Sequence, residues 1–193
     1  MQTSEIIFLV IIVCVLLYYK DYEFRDLVLV KSEYNGKEYQ VQDTPDKQRS
    51  ANLLSKIEEK IWYLVDRIDD DKDEEYHKYI RNIIKKRNDI EVMEVPLDTK
   101  NTSFTLNKNK LVFCLKSRGS RGWGDYHDIN LIMYVVLHEI SHIACPEDGH
   151  TRLFAKIFNY IAQKGVEYGV YEKIDFASNP KVYCGMELNT SII

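Results

Sequence analysis

A chain of 193 residues has the length of one domain with room for an appendage. Apolar residues make up 45% and charged residues 29%, which excludes a disordered chain. The net charge of −4 argues against nucleic acid as a partner, and four dispersed cysteines with no C-x-x-C pair give neither a disulfide framework nor a zinc-finger pattern. Buried free thiols are the expectation for Cys14, Cys114, Cys145 and Cys184, with a pairing among the last three as the alternative.

Residues 6–19 (IIFLVIIVCVLLYY) carry no charge, and Lys20 closes the run. Those fourteen residues would span about 21 Å as a helix, short of the ~30 Å hydrocarbon core of a bilayer. Residues 1–4, local thinning, a snorkelling Lys20 and interfacial Tyr18, Tyr19 and Tyr22 can make up the difference. A cleaved leader would show a basic start and small residues at its cleavage window. Here the start holds only Glu5, and bulky Leu, Tyr and Lys follow the run. A single-pass N-terminal anchor over residues 1–22 is therefore expected. Lys20, Arg25 and Lys31 after the span place the remaining domain on the cytosolic side of a membrane. Glycans on the sequons Asn101-Thr-Ser and Asn189-Thr-Ser would reverse that orientation.

Residues 23–43 read as a linker and a β-hairpin, 27–31 against 38–42, around a two-residue Asn35-Gly36 turn. Thr44 is a candidate N-cap with Pro45 at the first helical position, and Leu53, Leu54, Ile57, Ile61, Leu64, Val65 and Ile68 give a helix over 45–68. The acidic run 69–75 lacks the central glycine of a calcium loop and reads as a solvated connector. A second helix follows over 76–87, then an irregular stretch over 90–100. A hairpin, 102–106 against 111–116, leads to a glycine-rich loop over 118–125. A helix over 129–144 is capped by Asp128 and limited by Pro146. The last helix opens at Asp148 or Gly149, turns His150 inward, and is loosened at its end by Gly165 and Gly169. Residues 171–176 suggest a short strand and 179–186 an extended tail.

The stretch that carries chemistry is His138-Glu139-Ile140-Ser141-His142, an H-E-x-x-H pentad inside the helix over 129–144. Histidines four apart share a helical face and can share one metal ion, usually Zn²⁺. Glu139 lies about 100° around the axis, poorly placed as a ligand but able to reach a metal-bound water. His150 is the expected third ligand, since seven residues allow the chain to turn back after Pro146. The fourth position would stay open for water, as in catalytic sites. Two rivals are Asp148 and Cys145. They occupy the places where the metzincin pattern needs a histidine and a glycine, so that strict pattern fails.

This arrangement, His138-Glu139-Ile140-Ser141-His142 followed by Gly149-His150-Thr151-Arg152-Leu153-Phe154, resembles the WLM and SprT-like metallopeptidases, which are zincins. Residues 130–137 and 179–186 look like a branch of that group associated with large DNA viruses. The likeness reaches back to Asn35-Gly36 and Pro45-Asp46-Lys47. It implies an α+β, zincin-like minimal metallopeptidase domain over 44–193, preceded by the anchor. It implies one Zn²⁺ per chain held by His138, His142 and His150, with Glu139 as general base and acid in hydrolysing a peptide bond. The implied function is a membrane-anchored zinc endopeptidase in a host or virion membrane. Its partners would be a protein or peptide substrate and, through residues 6–19, the membrane. The alternative is a non-catalytic membrane or virion protein whose zinc braces the fold. By the same resemblance residues 111–116 would be the sheet edge that receives substrate. Tyr183, Tyr126 and His127 are candidates for stabilising an oxyanion.

Overall fold

The computed structural model describes residues 3–22, 24, 26–71, 75–119 and 122–193. Helix α1 (Thr3–Tyr22) holds the apolar run, with Ile6 to Val15 largely exposed, Phe8 at 65%. Among the described residues no helix is long and apolar enough to cross a membrane, so the expected span finds no support in the fold.

Strands β1 (Leu27–Lys31) and β2 (Glu38–Gln42) pair antiparallel as expected, with Lys31 opposite Glu38. The turn is wider than two residues. Ser32 N–H donates to the Lys37 carbonyl and Gly36 N–H to the Ser32 carbonyl, with Gly36 at φ +71°. One face of β2 buries Tyr39 and Val41 against helix α2 (Lys47–Asp71).

That helix runs three residues beyond its expected end, to Asp71 in the acidic run. The charges there have partners: Asp69 meets His77 at 2.8 Å, and Asp71 meets Lys164 at 2.8 Å. Its start also differs, because the Thr44 hydroxyl donates to Asp46 at 2.6 Å instead of accepting from a helical N–H. Apolar positions at helical spacing do the packing, with Leu54, Ile57, Ile61, Leu64, Val65 and Ile68 at most 1% exposed.

Helix α3 (His77–Lys85) follows, and then strand β3 (Glu91–Glu94) inside the stretch expected to be irregular. Its short Val92-Met93 core gave too little alternation to read locally. It becomes a strand by pairing parallel to β5 (Lys110–Phe113), whose other side pairs with β4 (Phe104–Leu106). The order β3-β5-β4 makes β5 the central strand and β4 an edge, which corrects the assignment of 111–116 as the edge. Residues 118–119 and 122–125 are likewise not a plain loop. They belong to β6 (Lys116–Gly119) and β7 (Gly122–Tyr126), an antiparallel pair with a bulge between Lys116 and Arg118.

Helix α4 (Ile129–Ala144) is capped by Asp128, which accepts from Asn130 N–H at 2.9 Å and Leu131 N–H at 3.3 Å. It is buried nearly all round because α3, α5, β4 and β5 surround it. Helix α5 (Arg152–Glu167) starts later than expected, with Thr151 as N-cap and Gly149 at φ +77° in the connector. Gly165 permits close approach of α5 to α4. A Cβ there would stand 3.0 Å from Leu137 Cδ1, so this glycine marks a packing contact and not a loosened helix end. No strand forms over 171–176. The tail instead folds into a hairpin, β8 (Lys181–Tyr183) and β9 (Met186–Leu188), about Cys184 and Gly185 at φ +51° and +81°. Positive φ at both central positions is what a two-residue hairpin turn needs.

Cys184 is bonded to Cys114 across 70 residues, so two of the four cysteines are not free thiols. Cys145 is free and buried, and Cys14 is free and exposed. The described residues form an α+β fold with a small three-stranded sheet beside α4 and three separate two-stranded pairs around it.

Candidate metal centre

Helix α4 projects His138 and His142 from one face toward the first turns of α5. Phe154 stacks on the His142 ring at a centroid distance of 4.2 Å and meets the His138 ring edge-on at 5.0 Å. Phe158 adds a second edge contact to His138 at 5.0 Å. These phenyl rings back the imidazoles and limit how they can turn. His150 reaches the same point from the connector between α4 and α5. It is exposed, and does not point inward from a helix as the sequence suggested.

The three rings converge through their Nε2 atoms. His138 Nε2 lies 3.3 Å from that of His142 and 2.9 Å from that of His150. Three nitrogen ligands at about 2.1 Å from one tetrahedral zinc would stand about 3.4 Å apart, so the two distances from His138 need to open by about half an ångström at most, and the three ligand atoms all lie within 4.8 Å of one another. The donors are all imidazole nitrogens, a set suited to Zn²⁺. Burial, and then the neighbouring His142 and His150, hold His138 down to about 3. Burial, His150 and Lys108 hold His142 down to about 4. Both are thus neutral at pH 7, which is the state that binds metal. Among the described residues, this is the group of histidine, cysteine and acidic side chains able to hold an ion together. Of the two rival ligands, Asp148 pairs with Lys108 at 3.2 Å and Cys145 is buried at the end of α4.

Glu139 is 5% exposed and lies beside the cluster in the same cleft. The Thr105 hydroxyl on β4 is 2.8 Å from Glu139 Oε2. Burial raises this carboxyl to about 7, with the Thr105 hydroxyl pulling the other way. A carboxyl near 7 can both take and return a proton at neutral pH. The cleft, about 750 Å³, has Phe104 and Thr105 of the edge strand on its lining together with Met186 and Leu188 of β9.

None of the three oxyanion candidates is among the residues lining the cleft. Tyr183 is fully buried, its hydroxyl 2.7 Å from Ser103 Oγ. Tyr126 is held by Ser50 at 2.9 Å, and His127 Nε2 accepts the Cys184 N–H at 3.0 Å. Sequence reasoning missed Thr105 and Lys108, which carry no local signal and whose side chains reach Glu139 and Cys145, 34 and 37 residues away.

Fold and site together define an α+β domain with a three-histidine cluster able to hold a metal ion beside a buried glutamate. No model of a known protein family matches the chain. It is 38% identical over 167 residues to the uncharacterized protein R325 of Acanthamoeba polyphaga mimivirus, covering 85% of this chain and 83% of that one. It is 35% identical over 97 residues to the uncharacterized protein 136R of Invertebrate iridescent virus 6, covering 50% and 54%. The chain belongs to the family of viral proteins that includes R325. Among solved structures, Wss1 from Saccharomyces cerevisiae overlaps 67% of this chain and 88% of its own, at 18% identity and a TM-score of 0.44.

Proposed function

We propose that this protein is a zinc-dependent peptidase, with His138, His142 and His150 as metal ligands and Glu139 as general base and acid. The observation that carries the reading is the convergence of three imidazole Nε2 atoms beside a buried carboxyl, on the wall of an open cleft. Zinc bound there would polarise a peptide carbonyl and lower the pKa of a water. Glu139 takes the proton from the attacking water and passes it to the leaving amine. Thr105 fixes the carboxylate for that exchange.

The substrate is an extended peptide. Among the described residues one side of β4 has no strand partner, so its backbone can pair with a strand laid along the cleft. Residues 6–19 make contact with a membrane, which the exposed apolar side chains of residues 6–15 support. The Cys114–Cys184 bond favours an oxidising setting for the domain, opposite to the side that the flanking lysines and arginine suggest.

The test is a peptide-library digest by the full chain, with metal analysis, for wild type and Glu139→Gln. Cleavage by wild type alone, with zinc present in both, supports the reading. If chelation lowers the melting temperature while no peptide is cut, the zinc only braces the fold and the peptidase reading fails.

A further inference from the structure

Two of the three histidines are fixed by their helix, but His150 hangs on the connector between α4 and α5, which has no regular structure. One side chain holds that connector from outside. Lys108 Nζ donates to the carbonyl oxygens of Cys145 at 2.9 Å, Pro146 at 3.2 Å and Glu147 at 3.2 Å. It also meets the Asp148 carboxylate at 3.2 Å. Four consecutive residues, ending two before His150, are thus gathered on one ammonium.

A lysine that merely capped α4 would bond the helix's own last carbonyls. The final one, of Ala144, is taken by Asn82 Nδ2 at 2.9 Å. Lys108 acts beyond the helix end, on the connector itself. Its own position is firm. It sits in the turn between β4 and β5, with Asn107 and Lys108 at φ +53° and +54°, and its carbonyl accepts from Lys86 Nζ at 3.1 Å. Such φ values are uncommon for side chains other than glycine and need surrounding contacts to hold them. The same hairpin carries Thr105, which holds Glu139.

We propose that Lys108 is a positioning residue for the third metal ligand: its ammonium folds the connector so that the His150 imidazole meets those of His138 and His142. This rests on the metal-site reading above. One hairpin then sets both halves of the site, the general base through Thr105 and the third ligand through Lys108.

The experiment is a Co²⁺ and Zn²⁺ titration of the full chain, wild type against Lys108→Met, followed by cobalt absorption and by the melting temperature of the metal-free form. Loss of an outer partner of this kind costs about 10–100-fold in metal affinity, and that is the expected drop, with the metal-free melting temperature nearly unchanged. Lys108→Gln, which can still donate to a carbonyl, should fall between the two and gives a second variant if the methionine form does not fold. In a His150→Ala background, Lys108→Met should cause no further loss, because the two act through one another. Wild-type affinity in both variants, or an equal loss with and without His150, overturns the proposal. A wild type that binds zinc but cuts no peptide defeats only the peptidase reading, since the affinity comparison still decides the role of Lys108. A wild type that takes up no metal defeats both.

Discussion

The hydroxyl of Thr105 stands 2.8 Å from Oε2 of Glu139, joining the edge strand β4 to the histidine-bearing helix α4 across 34 residues. Because that bond favours the ionised carboxylate, removing it raises the Glu139 carboxyl further above about 7. Thr105→Val should lower turnover about tenfold near neutral pH and shift the rising limb of the pH profile upward, with zinc content unchanged. Glu139→Gln should lose about 10²–10⁴-fold while keeping its metal. Peptide cleavage across pH, paired with metal analysis, checks both, and Thr105→Ser should restore most of the loss.

The cluster predicts a stoichiometry. One zinc per chain should survive gel filtration and be stripped by a chelator, and His142→Ala or His150→Ala should reduce retention sharply. Emission spectrometry of the purified variants reads this directly. Full zinc retention without His150 would remove it from the ligand set.

The metal-free form should show an unusual pH dependence of stability. His138 and His142 titrate near 3 and 4 when folded, against an ordinary value of 6.5, so on acidification the unfolded chain takes up protons first and stability falls. Glu139 acts in the opposite sense. Its folded value of about 7 lies above the ordinary 4.5, so between those values stability falls as pH rises. From pH 6.5 down to 4.5 the two histidines outweigh the one glutamate by a net proton, and the metal-free protein should weaken. Glu139→Gln removes the opposing proton, so the slope should about double. Urea midpoints at a series of pH values in chelator measure it, and equal slopes in both proteins would contradict the shifts.

Reduction should act on the cleft as well as on stability. The Cys114–Cys184 bond closes a separation of 70 residues, for which chain entropy suggests about 4 kcal/mol at most. Its loss also frees the β8–β9 hairpin, whose second strand lines the cleft. Cys114→Ser with Cys184→Ser should lower the melting temperature and speed amide exchange over residues 181–188. Protection unchanged there would mean that the Tyr183–Ser103 and Cys184–His127 bonds suffice to hold the hairpin.

Local signals were readable where physics acts within a few residues. The Asp128 cap, the end of α4 at Pro146, the apolar spacing of α2 and the two histidines four apart all depend on neighbours in sequence. Where distant parts decide, the reading failed. Residues 91–94 form a strand because β5 offers a parallel partner, and the acidic residues 69–71 stay helical because His77 and Lys164 pair with them. Cys114 and Cys184 gave no spacing clue, since nothing in the chain between them says that the hairpin folds back onto β5.

By itself the sequence determined which side chains are grouped at the candidate site, because helical periodicity alone sets His138 and His142 on one face and Glu139 beside them. Only the tertiary structure decided how those groups are held. It put His150 on a connector braced by Lys108, gave Glu139 its partner in Thr105, and made β4 the open edge. The reason is that each of these depends on contacts between elements distant in the chain, and a residue's sequence neighbours carry no record of what packs against it.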